Sequence, residues 1–110
     1  MERIFSYGTL QQENVQLEIC GRILNGEKDI LKYFCIKDIE IKDEFAVKAS
    51  DKKIHPIIFF TDQENHEVDG TVFEVTKSEL LRIDSYEVDD YKRVPVTLIS
   101  GKKSWVYIEK

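Results

Sequence analysis

Strand-like stretches of apolar and β-branched residues recur along this chain at short intervals and leave little room for helices between them. An α/β fold would need a long helix between successive strands, so the spacing argues against that architecture. It favours a mixed α+β fold, a small and partly open β-barrel of about six strands with one or two short helices. The predicted strands are residues 2–7, two strands or a hairpin within 20–41, then 54–60, 68–75, 91–99 and 105–108.

One helix is clearly marked in the sequence. Thr76 followed by Glu79 fits the capping box, in which each side chain bonds the other residue's backbone N–H. We therefore predict a helix over residues 77–84. Residues 11–19 carry a weaker apolar pattern that predicts one or two short helical turns, and the polar residues 43–53 predict a loop.

Length and charge narrow the class of protein. A chain of 110 residues fits one domain, residues 1–110. Its 21 acidic and 16 basic side chains give a formal net charge of −5, which argues against nucleic acid as the main partner. No stretch approaches the roughly 18 apolar residues of a membrane span, and the N-terminus lacks a signal-peptide pattern. We expect a cytoplasmic protein that does not associate with membranes.

Cysteine and histidine are sparse, which bears on metal binding and on disulfides. Cys20 and Cys35 are expected to be free thiols, because disulfides are rare in cytoplasmic chains. His55 and His66 stand apart from other metal-ligating residue types, without the spacing of a zinc site, so we expect no bound metal. His55 is expected to be a packed or exposed residue rather than a catalytic one.

The loop Tyr7-Gly8-Thr9-Leu10 directly follows the first predicted strand. A glycine there allows the backbone N–H groups to approach a ligand closely, because no Cβ keeps the backbone away. The structural alternative is a simple turn between two elements. The loop alone does not decide between a turn and a binding loop.

A second candidate stretch lies just after the predicted helix. It carries the carboxylates Asp84 and Glu87, and Tyr91 and Arg93 follow on the next predicted strand. The structural alternative is that the carboxylates are solvated surface charges and the tyrosine packs as an amphipathic core residue. Arg93 shares a strand face with Tyr91 and is a candidate partner for Asp84, as a structural brace.

Five short motifs follow one another along nearly the whole chain. They are Phe-Ser-Tyr-Gly-Thr-Leu near the start, His-Pro-Ile-Ile in the middle, and then Val-Asp-Gly-Thr-Val-Phe, Glu-Leu-Leu-Arg-Ile-Asp-Ser-Tyr-Glu and Tyr-Lys-Arg-Val-Pro-Val. In this order the set resembles the gamma-glutamylcyclotransferase-like family, in particular short bacterial-type members similar to gamma-glutamylamine cyclotransferase.

That resemblance implies an enzyme that needs no cofactor and acts on a small gamma-glutamyl substrate. The reaction is an intramolecular aminolysis that releases 5-oxoproline and an amine or amino acid. The motifs match Glu87 to the general acid/base. They match the substrate-binding residues to Tyr7, Gly8, Thr9, Leu10 and Tyr91.

Two features of the chain depart from the family pattern, and two other functions stay open. Val88 follows Glu87 where many members carry glycine, and the chain ends soon after the last predicted strand, so we expect it to lack elements that close the pocket in longer relatives. One alternative function is a non-catalytic protein that holds a carboxylate-bearing ligand at the Tyr7–Leu10 loop. Another is an interaction module that uses exposed strand edges.

Overall fold

The computed structural model describes residues 1–40, 54–87 and 90–110, so the predicted loop at 43–53 lies outside the described residues. The described ranges contain seven strands, two α-helices and one 3-10 turn. In chain order these are β1 (Glu2–Ser6), the 3-10 turn (Thr9–Gln11), α1 (Glu13–Cys20), β2 (Gly26–Lys32), β3 (Phe34–Glu40), β4 (Ile54–Phe60), β5 (Glu67–Val75), α2 (Lys77–Tyr86), β6 (Tyr91–Thr97) and β7 (Lys103–Glu109).

The strands form two open sheets. Five strands make the larger sheet in the order β2-β5-β1-β7-β6, and β3 pairs with β4 in a separate two-stranded sheet. The β1–β7 pair is parallel, and the other pairs are antiparallel. The mixed α+β prediction is confirmed. The prediction of a partly open β-barrel is corrected in one respect: among the described strands the two sheets stay open and do not close into a barrel.

The segment 20–41 contains the two predicted strands, but they do not form a hairpin with each other. β2 pairs with β5, and β3 pairs with β4. Only Tyr33 separates them, and its φ of 77° places it in the left-handed region, where the chain changes direction. Its N–H donates to the His66 carbonyl at 2.9 Å. One residue is too few for a hairpin loop, so the chain crosses from one sheet to the other.

Both helical predictions are confirmed. The weak pattern in 11–19 forms the 3-10 turn and α1, and the capped helix runs two residues further than predicted. Thr76 Oγ1 accepts from the Glu79 N–H at 3.1 Å, and Glu79 Oε1 accepts from the Thr76 N–H at 2.8 Å. Arg22 donates to the same carboxylate at 2.7 and 2.9 Å, and these bonds lower the pKa of Glu79 to about 2. No helix in the described ranges is long and apolar enough to cross a membrane.

Strand β1 separates two cores. Ile4, fully buried, packs with the helices, in a cluster that includes Val15 and Ile83. Its neighbour Phe5, 1% exposed, points to the opposite face and packs with residues such as Ile58 of the two-stranded sheet. Successive side chains of a strand point to opposite faces, so β1 is covered on both sides. This double burial holds the end of β1 in place, where the candidate binding loop begins.

Replacing Gly70 with alanine tests the close approach of β5 to β1. A Cβ at Gly70 would lie 2.4 Å from the Ser6 carbonyl oxygen and 2.7 Å from Phe5 Cζ, so the backbone itself must move. We expect Gly70→Ala to lower the free energy of unfolding by about 3 kcal/mol, measured by urea denaturation. Gly21→Ala is the control, because nothing lies within 4 Å of a Cβ there and only its φ of 74° is strained, at about 1 kcal/mol. Equal losses in the two variants would contradict the packing argument.

Candidate active site

A single pocket brings the sequence-predicted site residues together. It lies where the end of β1, the following loop, β4, the end of α2 and the strands β6 and β7 meet, and it holds about 400 Å3 of empty space counted with its open mouth. The residues of both candidate stretches that were matched to site roles contribute to its lining: Tyr7, Gly8, Thr9, Leu10, Glu87 and Tyr91.

The Tyr7–Leu10 loop is held in its conformation from several directions. The Gly8 carbonyl accepts from the Gln11 N–H at 3.2 Å, which starts the 3-10 turn. A Cβ on Gly8 would lie 3.2 Å from Pro56 Cγ, so glycine lets the loop pack tightly on β4. The Leu10 carbonyl accepts from the buried Gln16 side chain at 2.9 Å. The loop is therefore a fixed part of the pocket wall.

The N–H groups of this loop are largely unused inside the fold. The Gly8 N–H makes one long contact, 3.4 Å, to Ser6 Oγ. Within the described residues, the N–H groups of Thr9 and Leu10 have no acceptor, as expected for the first donors of a helical turn. The loop thus presents hydrogen-bond donors along the pocket wall, which suits an anionic group of a ligand.

Glu87 lies at the end of α2, where its N–H donates to the Ile83 carbonyl at 3.0 Å and closes the helix. Its side chain is largely shielded from solvent in the pocket wall. Burial raises the pKa of Glu87 to about 8, and the negative charge of Asp84 adds to the effect. A carboxyl group that exchanges its proton near neutral pH is suited to general acid/base chemistry.

Two tyrosine hydroxyls in the pocket donate their protons in hydrogen bonds to backbone carbonyls. Tyr7 donates to the Tyr107 carbonyl and Tyr91 donates to the Pro56 carbonyl, both at 2.6 Å. Burial raises the pKa of both phenols, and the charge of Glu87 raises each further, so both stay protonated at neutral pH. Each hydroxyl therefore offers the pocket a lone pair rather than a donor. The two tyrosines and Glu87 form an acceptor-rich side of the pocket.

The predicted brace between Arg93 and Asp84 is confirmed. Arg93 Nε lies 2.8 Å from Asp84 Oδ1, and Arg93 Nη2 donates to Asp84 Oδ2 at 3.1 Å. This two-point contact is the geometry in which guanidinium and carboxylate pair best. The Tyr107 hydroxyl donates to Asp84 Oδ1 at 2.5 Å, and the guanidinium lies 4.3 Å from the centre of the Trp105 ring.

Apart from the residues of β1 itself, three pocket residues had no site role predicted from the sequence: His55, Pro56 and Tyr107. His55 was expected to be packed or exposed; it is 5% exposed and lies at the pocket wall. Tyr107 belongs to β7, which reaches the site only because it pairs in parallel with β1. Nothing in the sequence near Tyr107 predicts that β7 pairs with β1. In the described ranges, no group of three or more His, Cys, Asp or Glu side chains is arranged to hold a metal ion.

The fold and the pocket define a mixed α+β protein with a candidate small-molecule site, in which backbone N–H donors and the carboxyl group of Glu87 line one pocket. The family model described as "Gamma-glutamyl cyclotransferase, AIG2-like" matches residues 4–110. The chain therefore belongs to the AIG2-like gamma-glutamyl cyclotransferase family. No curated protein matches the chain significantly by sequence.

Solved structures share the fold at low sequence identity. The solution structure of an Arabidopsis thaliana protein is 23% identical with a TM-score of 0.71, and the match covers 98% of this chain and 61% of that one. A structure named gamma-glutamyl cyclotransferase is 19% identical with a TM-score of 0.74, covering 99% and 66%. A human protein is 20% identical with a TM-score of 0.72, covering 99% and 66%. This chain thus spans less than two thirds of the length of the Arabidopsis protein.

Burial of Glu87 makes the stability of the protein depend on pH. Below pH 4.5, the ordinary pKa of the group, the carboxyl is protonated in both folded and unfolded states. As the pH rises to about 8, the unfolded state ionises first, so stability is progressively lost. Each unit of pKa difference corresponds to about 1.4 kcal/mol. Glu87→Gln carries no such proton, and we expect it to gain stability relative to the wild type over this range.

Urea denaturation at several pH values between 4 and 8 measures this difference. Glu67→Gln, at an exposed position on β5, is the control for replacing a carboxylate by an amide. A stability difference between Glu87→Gln and wild type that is the same at pH 4 and pH 8 would show that Glu87 is solvated like an ordinary surface residue.

Proposed function

We propose that this protein is a gamma-glutamyl cyclotransferase-type enzyme, which releases 5-oxoproline and an amine or amino acid from a gamma-glutamyl substrate. Glu87 is its general acid/base. The observation that carries the proposal is the polarity of the pocket, in which unused N–H groups of the Tyr7–Leu10 loop and an acceptor-rich side with Glu87 line the same space. A gamma-glutamyl group carries the matching pair, an α-carboxylate and an α-amine.

In this proposal the substrate is oriented by its two charged ends. The α-carboxylate accepts hydrogen bonds from the N–H groups of Thr9 and Leu10, and the α-amine donates to the hydroxyl oxygens of Tyr7 and Tyr91 and to Glu87. An ammonium group has only donors, and two tyrosines whose protons are already used can only accept, so the amine fits this side of the pocket and a carboxylate does not.

The reaction requires two protons to move from the α-nitrogen to the departing nitrogen. Glu87 takes a proton from the substrate ammonium, and the freed amine attacks the γ-carbonyl carbon of its own side chain, forming the C–N bond of a five-membered ring. Glu87 then returns the proton to the departing nitrogen while the original C–N bond breaks. The ring nitrogen loses its second proton to Glu87, which passes it to the departing amine. The products are 5-oxoproline and the amine in its ammonium form, and Glu87 is restored as a carboxylate.

The pKa values of the two partners are well matched for this step. A free α-amine has a pKa of about 8, and that of Glu87 is raised to about 8, so the first proton transfer costs little free energy. A positioned acid/base of this kind contributes a factor of ~10²–10⁴ to the rate. Holding the amine beside the carbonyl adds to the rate, because the bound substrate is kept in the conformation from which the five-membered ring closes.

The main prediction is that Glu87→Gln abolishes turnover without abolishing binding. We expect the release of 5-oxoproline from a panel of gamma-glutamyl amines and gamma-glutamyl amino acids to fall by ~10²-fold or more, since the amide cannot carry the proton. Quantifying 5-oxoproline by chromatography measures turnover, and thermal stabilisation by the same compounds measures binding. Glu67→Gln is the control and is expected to retain activity. Ligand-induced stabilisation without any product from the wild type would instead identify a non-catalytic binding protein.

The tyrosine hydroxyls give a second prediction. Tyr7→Phe and Tyr91→Phe each remove one acceptor for the amine and one hydrogen bond that fixes the ring. A hydrogen bond contributes about 1 kcal/mol, and we expect each variant to lose roughly tenfold in kcat/KM, measured in steady-state kinetics. Tyr33→Phe, at an exposed turn outside the pocket, is the matched control. Unchanged kcat/KM in both pocket variants would contradict the assignment of the amine to this side.

A further inference from the structure

Asp84 has three close polar contacts from two different strands. Two come from the Arg93 guanidinium on β6, and the third comes from the Tyr107 hydroxyl on β7. Asp84 lies three residues before Glu87, so both side chains emerge from neighbouring positions at the end of α2. The contacts of Asp84 therefore tie the element that carries Glu87 to the two strands beside it.

The same group of contacts continues to the other side of the pocket. Tyr107, which bonds Asp84 through its hydroxyl, uses its backbone carbonyl to accept the Tyr7 hydroxyl at 2.6 Å. The chain of hydrogen bonds from Arg93 through Asp84 and Tyr107 thus ends on Tyr7, at the start of the candidate binding loop. It links the end of α2, which carries Glu87, to the predicted substrate-binding loop through two tyrosines of the pocket wall.

We propose that the Asp84–Arg93 ion pair is a positioning element of the site, which sets the placement of Glu87 and of the Tyr7 hydroxyl together and balances the charge next to Glu87. This inference rests on the proposed function for its kinetic consequences. Neither residue lines the pocket, so both act through Glu87 and Tyr7 and neither touches the substrate.

The charge balance follows from the groups that surround Glu87 in the described residues. These groups are Asp84 on α2, Tyr7 in the β1 loop, Tyr91 on β6 with Asp90 before it, Tyr107 on β7 and His55 on β4. Asp84 adds to the raised pKa of Glu87. Arg93 is committed to Asp84 by two contacts, so it offsets the Asp84 charge instead of pairing with Glu87.

Two substitutions that break the same ion pair are expected to move the pKa of Glu87 in opposite directions. Asp84→Asn removes the negative charge beside Glu87, so the pKa of Glu87 falls. Arg93→Gln leaves the Asp84 charge uncompensated, so the pKa of Glu87 rises. We expect each shift to be about half a pH unit or more. A brace with a purely structural role would lower stability in both variants and would not produce shifts of opposite sign.

The measurement is a carbon-13 NMR titration of the side-chain carboxyl groups, with the Glu87 signal assigned by its loss in Glu87→Gln. The pH profile of kcat/KM is recorded for the same variants, and its acidic limb is expected to follow the two shifts. Arg93→Lys keeps the charge but cannot form the two-point contact or the flat contact with Trp105, so it should leave the pKa of Glu87 near the wild-type value and lower kcat.

The outcomes separate this inference from the proposed function. Opposite shifts in the NMR titration without any turnover would support the positioning role and count against the cyclotransferase reaction. Turnover that depends on Glu87 but has the same pH profile in Asp84→Asn, Arg93→Gln and wild type would overturn the positioning role. If Arg93→Gln does not fold, a pKa for Glu87 that is unchanged in Asp84→Asn overturns the inference by itself.

Discussion

The parallel pairing of β1 with β7 is the contact on which the site depends. Ile4 and Phe5 of β1 lie opposite Trp105 and Val106 of β7, and all four are joined to the core clusters on either side of the sheet. This pairing brings the end of β7 beside the loop that follows β1. Without it, the Tyr107 carbonyl would not accept the Tyr7 hydroxyl. The parallel pair joins the first and last described strands and places β1 at the centre of the larger open sheet.

The electrostatics of the site depend on which of its charged side chains are paired with each other. Glu87 is largely shielded from solvent, and no cation of the described residues pairs with it, because the Arg93 guanidinium pairs with Asp84. A buried carboxyl without a partner favours its protonated form. The burial of Glu87 therefore lowers the stability of the fold at neutral pH, and it keeps a proton on the Glu87 carboxyl group in the pocket. Glu79, which is also buried but is paired with Arg22 and lies outside the pocket, has its pKa lowered to about 2. The two glutamates differ in their partners, and this difference separates a structural carboxylate from a candidate proton carrier.

Local structure and the residues of the site were largely readable from the sequence. The capping box at Thr76 and Glu79, the strand over 54–60 and the alternation in β5 depend on near neighbours, and the structure confirms them. The pairing of strands depends on distant partners, and the sequence left open whether β2 and β3 form a hairpin; the structure pairs them in different sheets. His55 was expected to be packed or exposed rather than catalytic, and it is packed, but nothing near it in sequence indicates that β4 forms the pocket wall beside Gly8.

The sequence by itself determined the strand-rich fold class, the capped helix and the candidate residues of the Tyr7–Leu10 loop and of the stretch after the helix. Each of these depends on a few side chains that are adjacent in sequence. Only the tertiary structure decided that Tyr7 and Tyr91 offer acceptors rather than donors, since the carbonyls that take their protons lie 100 and 35 residues away. It also decided the pKa of Glu87, because burial and the pairing of Asp84 depend on how α2, β6 and β7 pack together. The local sequence decides which residues carry the groups of the site. The tertiary structure decides their protonation states and the direction of their hydrogen bonds.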